Sequence, residues 1–302
     1  MKTLHALADK SNITTQEWLK NTVVIIDPSV NPDGRDRYAN WYRMTANRWP
    51  DADPLGREHM EPWPGGRTNH YYFDLNRDWA WQTQIESQQR IIKYNEWLPH
   101  IHVDFHEQGY NSPYFFAPAA KPLHQYITDW QRDFQKTIGL NHAKYFDRNN
   151  WLYFTKESFD LLYPSYGDTY PTYNGAIGMT YEQAGHSRGG LAIETEDGDT
   201  LTLADRLEHH YTTGLSTIEV ASKNVEKMVN EFSDFFNPNR KELVDTFKSY
   251  VITRSNPTDK LNHLKSWLDN NGIEHRTSDE TRSFRAFNYQ NGLTCLLYTS
   301  DA

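Results

Sequence analysis

Three short segments carry the side chains from which a reaction centre could be assembled. The first is Phe73-Asp74-Leu75-Asn76-Arg77-Asp78-Trp79. A guanidinium offers a carboxylate two parallel charged donors, and a neighbouring amide adds a neutral one, so Asn76 and Arg77 could hold a carboxylate between them. On its own an Asn-Arg pair is ordinarily a solvated loop. Arg67 stands nine positions before Asn76, behind Gly65-Gly66, where backbone can approach closely. The second segment, His100-Ile101-His102-Val103-Asp104-Phe105-His106-Glu107, is dense in histidine. On a strand, His100, His102, Asp104 and His106 share one face. A dinuclear metallohydrolase would need His-x-His-x-Asp-His, and Phe105 breaks that spacing by one position. His106 falls where the strand is predicted to end, and open parallel sheets bind ligands at strand C-termini, so it is the candidate metal ligand. The third segment, Met179 to Gly185, sets Glu182 at the end of a short apolar strand. A carboxylate there could act as general base toward a metal-bound water. His209 and His210, on a long helix, read as structural or solvated.

The elements that must position these groups alternate between helix and strand, which predicts an α/β fold. The chain has 302 residues, 31 Lys+Arg against 40 Asp+Glu, a net charge of −9 and one cysteine. A single cysteine makes no internal disulfide and no thiolate metal centre. The acidic balance, with no basic stripe, argues against a nucleic-acid partner. No run of about 18 apolar residues is present, so no membrane-spanning helix is expected. A helix is predicted over Ala6 to Leu19, broken near Ser11-Asn12, with Thr14 or Thr15 as N-cap. Thr22 to Ile26 reads as a strand buried on both faces, Asn31-Pro32-Asp33-Gly34 as a turn, and 35–75 as a long irregular stretch. Trp81, Ile85, Ile92 and Trp97 predict an amphipathic helix over 79–98, followed by a strand at Ile101 to Phe105. Thr202 to Asp205 resembles a capping box opening a helix into the 230s. A first domain over 1–236, a linker over 237–247 and the start of a second α/β domain over 248–294 are expected. Tyr250 to Ile252, a helix at 257–270 and Gly272 to Glu274 make the β-α-β opening of that second domain.

In this order the motifs resemble the M14 family of zinc carboxypeptidases, from Thr22 to about Gly190. The resemblance rests on Asn31-Pro32-Asp33-Gly34, Arg67, Asp74-Leu75-Asn76-Arg77, the strand ending in His106, and Thr180-Tyr181-Glu182. It implies a mixed, mainly parallel sheet flanked by helices, a Zn2+ cofactor, and hydrolysis of the last peptide bond of a peptide or protein C-terminus. By the same resemblance His106 is a zinc ligand and Glu182 the general base. Asn76 and Arg77 then grip the terminal carboxylate, and Arg67 stabilises the oxyanion, with Arg43 a rival for that role. Asp74 is implied as the acid that orients a zinc histidine. A substrate tyrosine is implied among Tyr163, Tyr166 and Tyr170, with Tyr166 carried as the candidate.

One part of the family pattern is missing. The family's first two zinc ligands come from a His-x-x-Glu motif, and none occurs before His106; His59-Met60-Glu61 has the wrong spacing. The expectation is a chain that starts inside a longer protein, incomplete at the N-terminus and inactive as it stands; Met1 to Asp9 reads as helix interior and not as a signal peptide. Loss of the metal in a peptide-binding pseudo-peptidase is the other reading. A zinc deacylase or amidase on small or cell-wall amides would share Glu182 without needing Asn76 and Arg77. Relatives of this type are often exported, which implies an extracytoplasmic location. Residues 295–302, Cys295 to Ala302, resemble a translated transposon-type sequencing adapter.

Overall fold

The computed structural model describes residues 1–185, 188–237, 250–252 and 255–277, together with the backbone of two strands at 282–288 and 293–299. Helices α1 (Lys2–Ala8), α2 (Ile13–Trp18), α3 (Pro32–Thr45) and α4 (Ile85–Trp97) come first. Then follow β1 (Ile101–Gln108), β2 (Tyr114–Phe115), β3 (Ala120–Leu123), α5 (Asp129–Asn149), β4 (Tyr153–Phe154), β5 (Asp160–Leu161), α6 (Thr169–Tyr173) and β6 (Ile177–Ala184). A hairpin of β7 (Ala192–Glu194) and β8 (Thr200–Thr202) leads to α7 (Leu203–Lys223), α8 (Val225–Phe235), α9 (Thr258–Asn270) and the antiparallel pair β9 (Arg282–Asn288) and β10 (Leu293–Thr299). The main sheet has the order β1-β6-β2-β4. Its β1–β6 and β2–β4 pairs are parallel and its β2–β6 pair antiparallel, the mixed and mainly parallel α/β architecture expected.

Strand β6 is buried along its whole length because both its faces are covered. Alternation sends Ile177, Met179 and Tyr181 into a core with Phe134, Ile138 and Phe146 of α5 and Val220 of α7. Gly178, Thr180 and Glu182 point to the other face. Gln131 of α5 donates to the carbonyl oxygen of Ala176 at 2.7 Å, and Gln135 to that of Gly178 at 2.8 Å, which fixes the helix against the strand. On the second face α6 approaches so closely that a Cβ on Gly178 would lie 1.9 Å from the Asp168 carbonyl oxygen. Thr128 and Gln131 form a capping box on α5, and Thr202 and Asp205 the expected one on α7. Asn224, at φ −128°, divides the long helix expected there into α7 and α8.

Several local expectations are corrected. Asn12, not Thr14 or Thr15, caps α2, accepting from the Thr15 amide at 3.3 Å. Thr22 to Ile26 pairs with no described strand, and Val23 and Ile25 are exposed. Burial on both faces needs sheet neighbours and two flanking layers, which this segment lacks among the described residues. Asn31 and Pro32 begin a helix instead of a turn: Asn31 accepts from the Gly34 amide at 3.0 Å and Pro32 takes the first helical position. Helix α3 therefore replaces part of the irregular stretch. Helix α4 starts at Ile85 because Asp78 takes the Thr83 and Gln84 amides at 2.9 Å and holds the preceding turn. Its buried face is Ser87, Ile91 and Tyr94, whereas Trp81, Ile85, Ile92 and Trp97 are exposed. Residues 250–252 and 272–274 form no strand, while α9 falls where its helix was expected. Of the expected linker only residue 237 is described, and of residues 295–302 only strand backbone as far as 299.

Candidate active site

Parallel pairing sets the register of the site. Asp104 lies opposite Thr180 and His106 opposite Glu182, so four polar side chains share one face of two adjacent strands. His106 and Glu182 both stand two residues before their strands end, not at the termini. His106 Nε2 is 2.6 Å from Asp104 Oδ2 and 2.8 Å from Asn76 Nδ2. Thr180 Oγ1 is 3.2 Å from both Glu182 Oε1 and the Asp104 carbonyl oxygen.

The loop over the strands brings the remaining groups. Asp74 accepts from the Asn76 amide at 2.9 Å and so caps the short 3-10 turn Leu75–Arg77. Both Nε and Nη2 of Arg67 reach Asp74 Oδ2 at 2.9 Å. This pair is half-exposed and adds little stability, but it fixes where the guanidinium points. Among the described residues Asp74 meets no histidine. Asp104 holds the His106 ring, a role that the two-residue period of the strand puts within reach and the motif comparison did not assign. Arg77 places its guanidinium 4.2 Å above the Tyr166 ring. The Tyr163 ring lies tilted against that of Tyr166, centroids 4.9 Å apart, and its hydroxyl accepts from Trp81 Nε1 at 2.7 Å. Tyr170 is buried, with its hydroxyl on Asn271 Oδ1 at 2.8 Å. Arg43 is exposed at the end of α3.

The electrostatics follow from burial and one close pair. Burial lowers the pKa of His106, but the charge and hydrogen bond of Asp104, with the charge of Glu182, outweigh it and hold the ring at about 9. Asp104 is kept below the usual carboxylate range by His106, against the opposing effect of burial. Burial pushes Glu182 up to about 7, although His106 and Thr180 pull the other way. Asp168, unmarked by any motif, is also buried on this face, and burial with the Asp104 charge takes it to about 7. His102 is pulled to about 4 by burial and packs edge-on to Trp79, ring centroids 5.2 Å apart. His100 packs against Phe232 at 4.6 Å. His209 and His210 are structural: their Nδ1 atoms meet Gln183 Oε1 at 2.5 Å and the Tyr114 hydroxyl at 2.8 Å.

A catalytic zinc takes three protein ligands, each deprotonated. Among the described residues no group of three His, Cys, Asp or Glu side chains is arranged to hold a metal ion. The candidate His106 has its Nε2–H turned to Asp104 Oδ2, and the buried Asp104 charge holds the ring in its protonated form. The described residues therefore do not fit a bound zinc. No described helix is long and apolar enough to cross a membrane.

Residues 1–145 match the family described as zinc carboxypeptidase, peptidase family M14. The matched stretch holds Arg67, Asp74, Asn76, Arg77 and His106, while Tyr166 and Glu182 lie beyond it. No match was found among curated proteins or among solved structures.

Proposed function

We propose that this chain, carrying an M14 zinc carboxypeptidase domain over residues 1–145, grips the C-terminal carboxylate of a peptide and presents a general base to the adjoining peptide bond. The supporting observation is the register that sets Glu182 beside His106, with Asn76 in contact with that histidine. In this reading Arg77 supplies the charged fork and Asn76 the neutral donor for the carboxylate. Glu182, with a pKa near neutrality, accepts a proton from the attacking water and returns it to the leaving amine. Arg67 faces the oxyanion that develops on the scissile carbonyl.

A second reading, a peptide-binding module that does not hydrolyse, is favoured by the commitment of His106 Nε2 to Asp104. Two measurements separate the readings, using N-benzoyl-Gly-Phe and its C-terminal amide as probes. Calorimetric titration should show the acid bound at least tenfold more weakly by Arg77→Ala than by the wild type, with the amide unaffected. That factor is the size of one lost charge-assisted hydrogen bond, about 1.5–3 kcal/mol. Equal losses for acid and amide would sink the carboxylate assignment. Turnover by the wild type that disappears in Glu182→Gln, with binding retained, supports the hydrolase. Binding without turnover in the wild type supports the module.

A further inference from the structure

The clamp residues Asn76 and Arg77 are stitched to a segment 90 positions away in sequence, Ser165-Tyr166-Gly167. Ser165 Oγ donates to the Arg77 carbonyl oxygen at 2.8 Å and accepts from the Ala80 amide at 2.9 Å. The Gly167 amide donates to Asn76 Oδ1 at 2.7 Å. Between them Tyr166 lies beneath the Arg77 guanidinium. A main-chain N–H can only donate, so the Asn76 oxygen must face Gly167, which turns its NH2 group to the His106 side. The orientation of the amide is thus set from outside its own loop.

Gly167 also sits where no side chain fits. A Cβ there would lie 2.4 Å from Asp104 Oδ2, 2.8 Å from Trp79 Nε1 and 2.9 Å from Asn76 Oδ1. None of the three can retreat easily. Asp104 is tied to His106, Trp79 is buried against Tyr94, His102 and Tyr170, and the Asn76 oxygen is held by the Gly167 amide. We propose that Ser165–Gly167 is a positioning element for the carboxylate clamp, with Gly167 setting Asn76 and Tyr166 setting Arg77; this rests on the clamp assignment above.

The test compares binding of N-benzoyl-Gly-Phe with that of its amide, because a merely structural role would weaken both alike. Gly167→Ala should weaken the acid about tenfold and leave the amide unchanged. Tyr166→Leu keeps the backbone and removes only the ring under Arg77, and should weaken the acid severalfold more than the amide. It carries the test alone if the alanine variant does not fold. Wild-type affinity for the acid in Tyr166→Leu, or equal losses for acid and amide, would overturn the proposal while leaving the clamp itself standing. A wild type that does not distinguish acid from amide overturns both.

Discussion

Gly178→Ala should destabilise the protein by about 3 kcal/mol or more, beyond the usual range for overpacking. The new Cβ would meet the Asp168 carbonyl oxygen at 1.9 Å, with the Asp168 carbonyl carbon and Thr172 Cγ2 each at 3.0 Å. The nearest atom belongs to the backbone, so no rotamer change relieves the clash. Relief requires α6 to lift from β6 by more than 1 Å (a rough figure from van der Waals contact distances). Strand β6 cannot move instead, because its opposite face is packed on α5 and α7 and Gln135 holds the Gly178 carbonyl. Lifting α6 would also draw Gly167 and Asp168 off Asn76 and Asp104, so carboxylate binding should fall with stability. Urea titration followed by tryptophan fluorescence measures the first effect. Gly109→Ala is the control: the nearest atom to its Cβ is Ser112 Oγ at 3.9 Å, and its effect should stay within about 0.5 kcal/mol. Equal midpoints for Gly178→Ala and the wild type would refute the close packing of α6 on the sheet.

Stability should pass through a maximum near pH 6.5. Burial pulls the imidazoles of His102 and His209 to about 4, and those of His142 and His210 to about 3. Between about pH 4.5 and 6.5 the unfolded chain therefore binds four protons on these residues that the native state does not. Burial raises Asp168 and Glu182 to about 7, so in the same window the native state binds two that the unfolded chain does not. Over these six groups the net is two protons in favour of the unfolded state, and stability rises with pH. At about 1.4 kcal/mol per proton and pH unit, the limb has a slope on the order of 2–3 kcal/mol per unit. Above pH 6.5 the unfolded histidines are neutral, whereas native His106 keeps its proton to about 9 and the two carboxyls keep theirs to about 7. The native state then binds the excess, and stability falls. Unfolding free energies at intervals from pH 4.5 to 8.5 check the shape, and a continuous rise to 8.5 would contradict it. His142→Gln removes one of the four buried imidazoles and should halve the acid limb.

How much was legible in the sequence depended on whether the deciding contact was local. The apolar runs around Ile101 and Met179 mark β1 and β6, and the two-residue period puts Asp104 and His106 on one face. Asn76-Arg77 was readable because amide and guanidinium chemistry is carried by residue type alone. Asn31-Pro32 misled because the same pair that opens a turn also caps a helix and fills its first position. The apolar stripe of α4 misled because periodicity shows that a face exists without showing what covers it. Motif order assigns Asp74 to a histidine, yet its ion-pair partner is Arg67, seven positions away. Gly167 and Asp168 carried no signal: their importance lies in what Asn76, Asp104 and Gly178 bring against them from distant segments.

Strand β1 stands at the rim of its sheet, with β6 as its one ladder partner among the described residues. The carbonyl of His100 accepts from the Ile177 amide at 2.9 Å, so main-chain groups of even-numbered residues along β1 face β6 and those of odd-numbered ones face away. Amide hydrogen exchange along this strand should therefore alternate, slow at His102, Asp104 and His106 and faster at Val103, Phe105 and Glu107. The residues whose side chains build the site would then be those whose backbone is hardest to open. Chemistry and mechanical anchorage fall on the same alternate positions, and the less tethered positions between them carry no group that the site uses.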